Sequence, residues 1–192
     1  MKKLYPEREM AQMLIKDAGL YNPGAWVDHS YVVATCAEKI ARACGDLDPE
    51  KAYVLGLLHD IGRKFGVKHF GHIYDGYTYM EGLGYSDAAR ICLTHSFCIQ
   101  RIEDYVGNMD VTPDQRKVCE ETLYALTYDD YDLLIQLCDT LGAAEGVVSM
   151  EDRMEDVRRR YGSFPRDKWD KNMELRAYFE NKCGRDIYEV VG

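Results

Sequence analysis

Six histidine and aspartate side chains in this chain have types and positions suited to binding metal ions. They are His29, His59, Asp60, His72, His95 and Asp139. Imidazole nitrogens and carboxylate oxygens are metal ligands, and both groups are costly to bury without a partner. A single buried histidine is more often an ordinary core residue, and one His-Asp pair is most simply a histidine capped by an aspartate. Several such residues from separate helices are better explained by a shared metal centre.

The segment on which the others depend runs from residue 52 to residue 64. It is an apolar run that ends in His59-Asp60 and continues directly into Ile61-Gly62-Arg63-Lys64. A segment so rich in apolar residues is predicted to be buried. It therefore carries two polar, metal-competent side chains into the protein interior.

Helices are predicted to position all six residues. His29 lies on an apolar stripe, spaced by three and four, of a helix that opens at Asn22-Pro23 and is ended by Gly45. Asp48-Pro49 is a cap and first-turn pair for the helix that ends in His59-Asp60. Further helices are predicted over residues 6–18, 72–83, 87–95, 113–125 and 130–144, and two charged amphipathic helices over 150–161 and 166–181.

No strand alternation, internal repeat or linker-like composition is present. The prediction is therefore an all-α fold with a single domain over residues 1–192 and C-terminal helices at about 150–182. Residues 98–106 are expected to continue the preceding helix after a bend. The weakest boundary is expected at residues 146–149, where the last two helices could form an appendage.

Composition narrows the function classes. The chain has 192 residues, of which 46% are hydrophobic and 30% are charged, and this composition is ordinary for a soluble domain. Its net charge of -9 argues against nucleic-acid polymers and anionic membranes as partners. Its seven cysteines include no Cys-x-x-Cys pair and fit a reducing compartment. The N-terminus turns charged where a signal peptide would turn apolar, and no apolar run approaches membrane length. A cytoplasmic location is predicted.

The order His29, His59-Asp60, Asp139 resembles the HD-domain superfamily of metal-dependent phosphohydrolases. The segment His59-Asp60-Ile-Gly-Arg63-Lys64 is similar to the family's His-Asp-Ile-Gly-Lys element, and His72-Ile-Tyr-Asp-Gly76 resembles the later His-x-x-x-Gly element of its two-metal members. His95 and Asp139 match the family's next histidine and last aspartate. The resemblance covers about residues 26 to 145 and implies a helical-bundle fold.

The resemblance also implies roles for individual residues. His29, His59, Asp60 and Asp139 would hold one metal ion, and Asp60 would bridge to a second ion held also by His72 and His95. One or two divalent transition metal ions are expected, with manganese, iron, cobalt, nickel and zinc all suited to these ligands. Some two-metal relatives carry paired histidines where this chain has His95-Ser96, so the second site is expected to bind its ion more weakly or with a water as a further ligand.

Three more residues are candidates for substrate contact. His69 is close to His72 in the sequence and could replace it as a ligand or contact the substrate, although the glycine at position 76 favours His72 as the ligand. Arg63 and Lys64 could bind a phosphate oxygen, or could belong to a solvated loop, and Lys64 is the stronger catalytic candidate. The run Arg158-Arg159-Arg160 lies among acidic residues and is predicted to be a solvated helix face.

The resemblance implies a hydrolase that cleaves a phosphate ester or anhydride of a small molecule, such as a nucleotide or a dinucleoside polyphosphate, with a metal-activated water. Ligand types alone do not separate this activity from a mixed-valent di-iron oxygenase of the same fold that acts on a polyol or phosphonate. A third hypothesis is a ligand-binding module that has kept the fold without catalysis. The sequence does not indicate an oligomeric state.

Overall fold

The computed structural model describes residues 4–192 and shows the predicted all-α fold. Its only strands in that range are two short ones that form an antiparallel hairpin. Two 3-10 helices, at Ile61–Phe65 and Ile102–Asp104, interrupt the loops. In chain order the elements are α1 (Arg8–Tyr21), α2 (Trp26–Cys44), α3 (Pro49–Leu58), α4 (Gly71–Leu83), α5 (Ser86–Thr94), α6 (Pro113–Ala125), α7 (Asp130–Leu141), β1 (Gly142–Ala143), β2 (Gly146–Val147), α8 (Met150–Tyr161), α9 (Arg166–Cys183) and α10 (Ile187–Val191).

The helices α2 and α3 form the centre of the fold. Gly45 ends α2 in a left-handed conformation, and the Asp48 side chain accepts a hydrogen bond from the backbone N–H of Glu50 at the start of α3. Every residue of α3 from 52 to 58 is buried. At Gly56 the two helices lie so close that a Cβ there would be 2.9 Å from the Cα of Ala34. This close contact sets α3 beside the first turns of α2, where His29 lies.

The prediction that α5 continues through residues 98–106 after a bend is wrong. Residues 95–101 form an irregular loop because side chains from elsewhere satisfy the carbonyls at the end of α5. Gln136 on α7 donates to the carbonyls of Thr94 (3.0 Å) and Phe97 (3.2 Å), and the Tyr128 hydroxyl also donates to Phe97 (2.7 Å). These tertiary hydrogen bonds replace the helical ones that would have continued α5.

The C-terminal helices share the main hydrophobic core. Met150 and Met154 of α8, Phe179 of α9 and Ile187 of α10 are buried in the same cluster as the apolar faces of α2, α3 and α7. The ammonium group of Lys39 also donates to the carbonyl of Val191 at 2.8 Å. These contacts place α8 and α9 against the central helices.

A second apolar cluster packs between α4, α5 and α6. Phe70 and Ile73 of the α4 region pack there with Leu93 and Phe97, and α6 contributes Leu123. This cluster holds the start of α4 against the end of α5, which are the two places where His72 and His95 occur. No helix in the described range is long and apolar enough to cross a membrane.

Candidate metal centre

The fold brings all six predicted ligands together at the ends of five helices. They form two groups, His29 with His59 and Asp139, and Asp60 with His72 and His95, and within each group the potential ligand atoms all lie within 4.8 Å of one another. The four histidines and Asp60 are each no more than 7% exposed. Asp139 differs from these five residues, because its side chain is 28% exposed. The difference arises because Asp139 lines an open cavity.

In the first group the nitrogen and oxygen atoms converge on one point. The Nε2 atom of His29 lies 2.9 Å from Oδ1 of Asp139, and Nε2 of His59 lies 3.7 Å from the same oxygen. The two Nε2 atoms are 3.2 Å apart.

The second group has the same arrangement around Asp60. Its Oδ1 atom lies 3.1 Å from Nε2 of His72 and 3.6 Å from Nε2 of His95, and the two Nε2 atoms are 3.4 Å apart. The other oxygen of Asp60, Oδ2, lies 3.9 Å from Nε2 of His59, which belongs to the first group. The two oxygens of one carboxylate therefore face the two groups, as a bridging ligand requires.

Backbone hydrogen bonds determine which nitrogen of each imidazole faces inward. The Nδ1 atom of His59 is 2.7 Å from the carbonyl oxygen of Gly56, that of His95 is 2.9 Å from the carbonyl of Cys92, and that of His72 contacts the carbonyl of His69. A carbonyl only accepts, so Nδ1 carries the proton and Nε2 presents a lone pair. This hydrogen bond from the outer nitrogen is typical of histidines that bind metals.

These lone pairs show that the residues fit a metal ion. The Nε2 atoms of His72 and His95 face each other without a proton to share, and Oδ1 of Asp60 has no hydrogen-bond partner in the described range. Such an arrangement is repulsive unless a cation lies among the atoms. Two nitrogen ligands and a carboxylate in each group suit a divalent transition metal.

The surroundings also hold the ligands in the protonation states that metal binding needs. Burial lowers the pKa of His59, and burial together with the nearby His59 lowers the pKa of His95 to about 3. Burial by itself would raise the pKa of Asp60, but Arg63 and His72 lower it well below its usual value. Burial would also raise the pKa of Asp139, but the hydrogen bond with His29 outweighs this effect and lowers that pKa. At neutral pH the imidazoles of His59 and His95 are therefore neutral, and the carboxylates of Asp60 and Asp139 are ionised.

The structure separates the three candidates for substrate contact. Arg63 lines the cavity above the ligands, and its Nε donates to Oδ2 of Asp60 at 2.5 Å. Lys64 points away from the cavity, donating to Asp17 at 2.8 Å and lying over the ring of Tyr21. The sequence makes Lys64 the stronger catalytic candidate of the two cations. Its position outside the cavity argues against both a catalytic and a substrate-binding role.

His69 supports the centre through its backbone. Its carbonyl accepts the Nδ1 proton of His72, and its ring belongs to neither group of ligand atoms. The ring contacts that of Tyr161, 5.9 Å away between centroids, at the edge of the cavity. Between the two histidines, the geometry therefore favours His72 as the ligand.

Most of the remaining cavity wall consists of residues that were not predicted from the sequence. The cavity has a volume of about 390 Å³ and is lined in part by α8 and α9. Arg160, predicted to be solvated, lines it together with Arg153, and a spacing of seven on one helix places both on the same face. That spacing could have identified Arg153 and Arg160 from the sequence as residues of one helix face. The further lining residues from outside the predicted site include Trp26, Tyr105, Tyr161, Phe164, Lys168 and Asn172.

Comparison with known proteins agrees with this geometry. A family model described as the HD domain matches residues 26–144, which is well over half of the chain and contains all six candidate ligands. Neither a search of curated proteins nor a search of solved structures finds a match. The matched region ends before α8, so the family accounts for the ligand groups and not for the C-terminal wall of the cavity. On the strength of the family match, the chain belongs to the HD domain family.

Proposed function

We propose that this protein is a metal-dependent phosphohydrolase that cleaves a phosphate ester or anhydride of a small molecule. The observation that carries the proposal is the convergence of inward-facing Nε2 lone pairs and two ionised carboxylates at the floor of a cavity that also contains cations. The first metal would be held by His29, His59 and Asp139, and the second by His72 and His95. Asp60 would serve both.

Divalent ions bound by these residues would supply positive charge opposite a phosphate and lower the pKa of a bound water. The protein residues hold that chemistry in position. The backbone carbonyls of Gly56, His69 and Cys92 orient three imidazoles, and Arg63 partly neutralises Asp60 while presenting its guanidinium to the cavity. A guanidinium there can donate to phosphate oxygens.

The cavity supports a small substrate. Its volume of about 390 Å³ lies within the range of small-molecule sites. The rings of Trp26, Tyr105 and Phe164 line it, which suits a nucleotide base, so a nucleotide or dinucleoside polyphosphate is the substrate class that we propose. The net charge of -9 argues against a nucleic-acid polymer, and the seven cysteines, an odd number without a Cys-x-x-Cys pair, favour a reducing compartment such as the cytoplasm.

The proposal is tested by metal content and phosphate release on one preparation. We expect about two equivalents of transition metal per chain by elemental analysis, and release of phosphate from p-nitrophenyl phosphate or from members of a nucleotide panel. Stripping the metal with a chelator should abolish release, and reloading with manganese, cobalt, nickel, iron or zinc should restore it with at least one ion.

Two outcomes would contradict this function. A protein that binds none of these ions and releases no phosphate would be a non-catalytic member of the family. Oxygen consumption by the iron-loaded protein with a polyol or phosphonate, without phosphate hydrolysis, would instead establish the oxygenase alternative.

Arg63 and Lys64 provide a matched pair of neighbouring cations for a further prediction. Arg63→Ala should lower kcat/KM by about 10-fold or more, because a hydrogen bond from a charged group is worth about 1.5–3 kcal/mol. Lys64→Ala should change kcat/KM by less than about 2-fold, since Lys64 is paired with Asp17 outside the cavity. Steady-state kinetics on both variants measure this. A larger loss in Lys64→Ala than in Arg63→Ala would show that our placement of the two side chains is wrong.

A further inference from the structure

Two helices outside the family match supply cations to the cavity. Arg153 lies on α8 and Lys168 on α9, and both line the cavity that contains the candidate ligands. The HD domain match ends at residue 144, so neither cation belongs to the matched region. Any ligand contact that Arg153 and Lys168 make is therefore made by the C-terminal helices and not by the matched HD domain.

Lys168 is held close to the metal centre by backbone contacts. Its Nζ donates to the carbonyl of Ser96 at 3.0 Å and to the carbonyl of Asp104 at 3.2 Å, and Ser96 directly follows His95. An ammonium group has three protons to donate. Two carbonyls use two of them, so one donor remains for a ligand in the cavity.

Arg153 and Lys168 form no ion pair with a carboxylate of the described residues. Other cavity cations have carboxylate partners, with Arg63 bonded to Asp60 and Arg160 lying 2.8 Å from Asp156. Within residues 4–192, neither Arg153 nor Lys168 has a carboxylate oxygen within 4.0 Å. Two unpaired cations in a cavity of a chain with net charge -9 favour an anionic ligand.

The surroundings of Lys168 support the same conclusion. Burial lowers the pKa of this ammonium group, and the negative charges of Asp104 and Asp139 act in the opposite direction. An anion bound beside Nζ would restore the stability of the charged form. The ring of Phe164, with its centroid 5.8 Å from Nζ, closes one side of the cation and limits its hydration.

We propose that Arg153 and Lys168 form a second anion subsite, which binds a phosphate of the substrate other than the one positioned over the metal centre. The substrate is then a molecule with at least two phosphate groups, such as a phosphoanhydride, rather than a simple monoester. This inference rests on the proposed function, since it takes the first phosphate to lie at the ligand groups.

Two non-hydrolysable probes separate the subsites. Methylphosphonate carries one phosphonate and methylenediphosphonate carries two, and both are titrated calorimetrically into the metal-loaded protein. Wild type should bind the diphosphonate more tightly. Lys168→Gln and Arg153→Gln should each weaken diphosphonate binding by about 10-fold or more, the usual effect of losing a charge-assisted hydrogen bond, and methylphosphonate binding by less than about 3-fold.

Arg159→Gln is the matched control, because it removes the same charge from the exposed side of α8, where Arg159 has 71% of its side chain exposed. It should leave both affinities unchanged. Unchanged diphosphonate binding in Lys168→Gln and Arg153→Gln, or equal weakening of both probes, would overturn the subsite. This outcome is distinct from failure of the proposed function, because the titration measures binding and the phosphate-release assay measures hydrolysis. Circular dichroism confirms that each variant is folded.

Discussion

Asp60→Ala is expected to lower metal content from about two equivalents per chain to well below one, and to reduce hydrolysis by about 1,000-fold or more. The physical reason is the position of the carboxylate. Its Oδ1 faces His72 and His95, and its Oδ2 lies 3.9 Å from His59, so removing the side chain takes a ligand atom from each group. Elemental analysis after gel filtration and kinetics on the same sample measure the two losses together.

Asp87→Ala provides the control for this change. Asp87 is also an ion-paired aspartate, with Oδ2 2.6 Å from Nζ of Lys51, but it does not line the cavity. It should retain full metal content and activity. If Asp60→Ala lost activity but kept two metal ions, Asp60 would not be a ligand, and if it kept both, the assignment of the centre would be wrong.

The second large effect is expected from Gly62→Ala, which should destabilise the fold by about 3 kcal/mol or more. A Cβ at Gly62 would lie 1.9 Å from the carbonyl oxygen of His72 and 2.4 Å from the backbone nitrogen of Gly76. Because these are backbone atoms of α4, no side-chain rotation can relieve the overlap. The start of α4 must move, and His72 moves with it, so we expect weaker metal binding as well. Denaturant unfolding and metal titration measure both effects.

Gly82→Ala, on α4, is the control. A Cβ at Gly82 would meet no atom within 4 Å, so the substitution should be neutral or should stabilise the protein by up to about 1 kcal/mol. If Gly62→Ala proved as stable as wild type, the close contact between α4 and the segment after Asp60 would not exist. The position assigned to His72 would then need revision.

Local sequence rules were enough to predict most of the helices. Thr112 and Gln115 form a capping box at the start of α6, Asp48-Pro49 begins α3, and Gly45 and Gly84 end their helices with positive φ angles of 80° and 79°. These signals act within a few residues, so they are readable without a fold. The six candidate ligands were found for a related reason, since polar side chains on otherwise apolar helix faces must meet a partner in the interior.

Local sequence rules could not decide which of two neighbouring cations faces the cavity. Arg63 and Lys64 lie in a 3-10 helix, where successive side chains point about 120° apart. One therefore reaches Asp60 in the cavity and the other reaches Asp17 on α1. Which of the two faces the cavity depends on where α1 packs, and that position depends on contacts distant in the sequence.

The amino-acid sequence alone was sufficient to predict the helical class, most helix boundaries and the set of metal-competent residues, because each depends on local propensity or on the cost of burying a polar group. Two features depend on the three-dimensional packing instead. Gln136 ends α5 early, and α8 and α9 bring Arg153 and Lys168 to a cavity that also contains residues of α2, α4 and α7. Lys168 lies 72 residues from its hydrogen-bond partner Ser96. A contact across that separation arises from the packing of whole helices, and no local pattern encodes it.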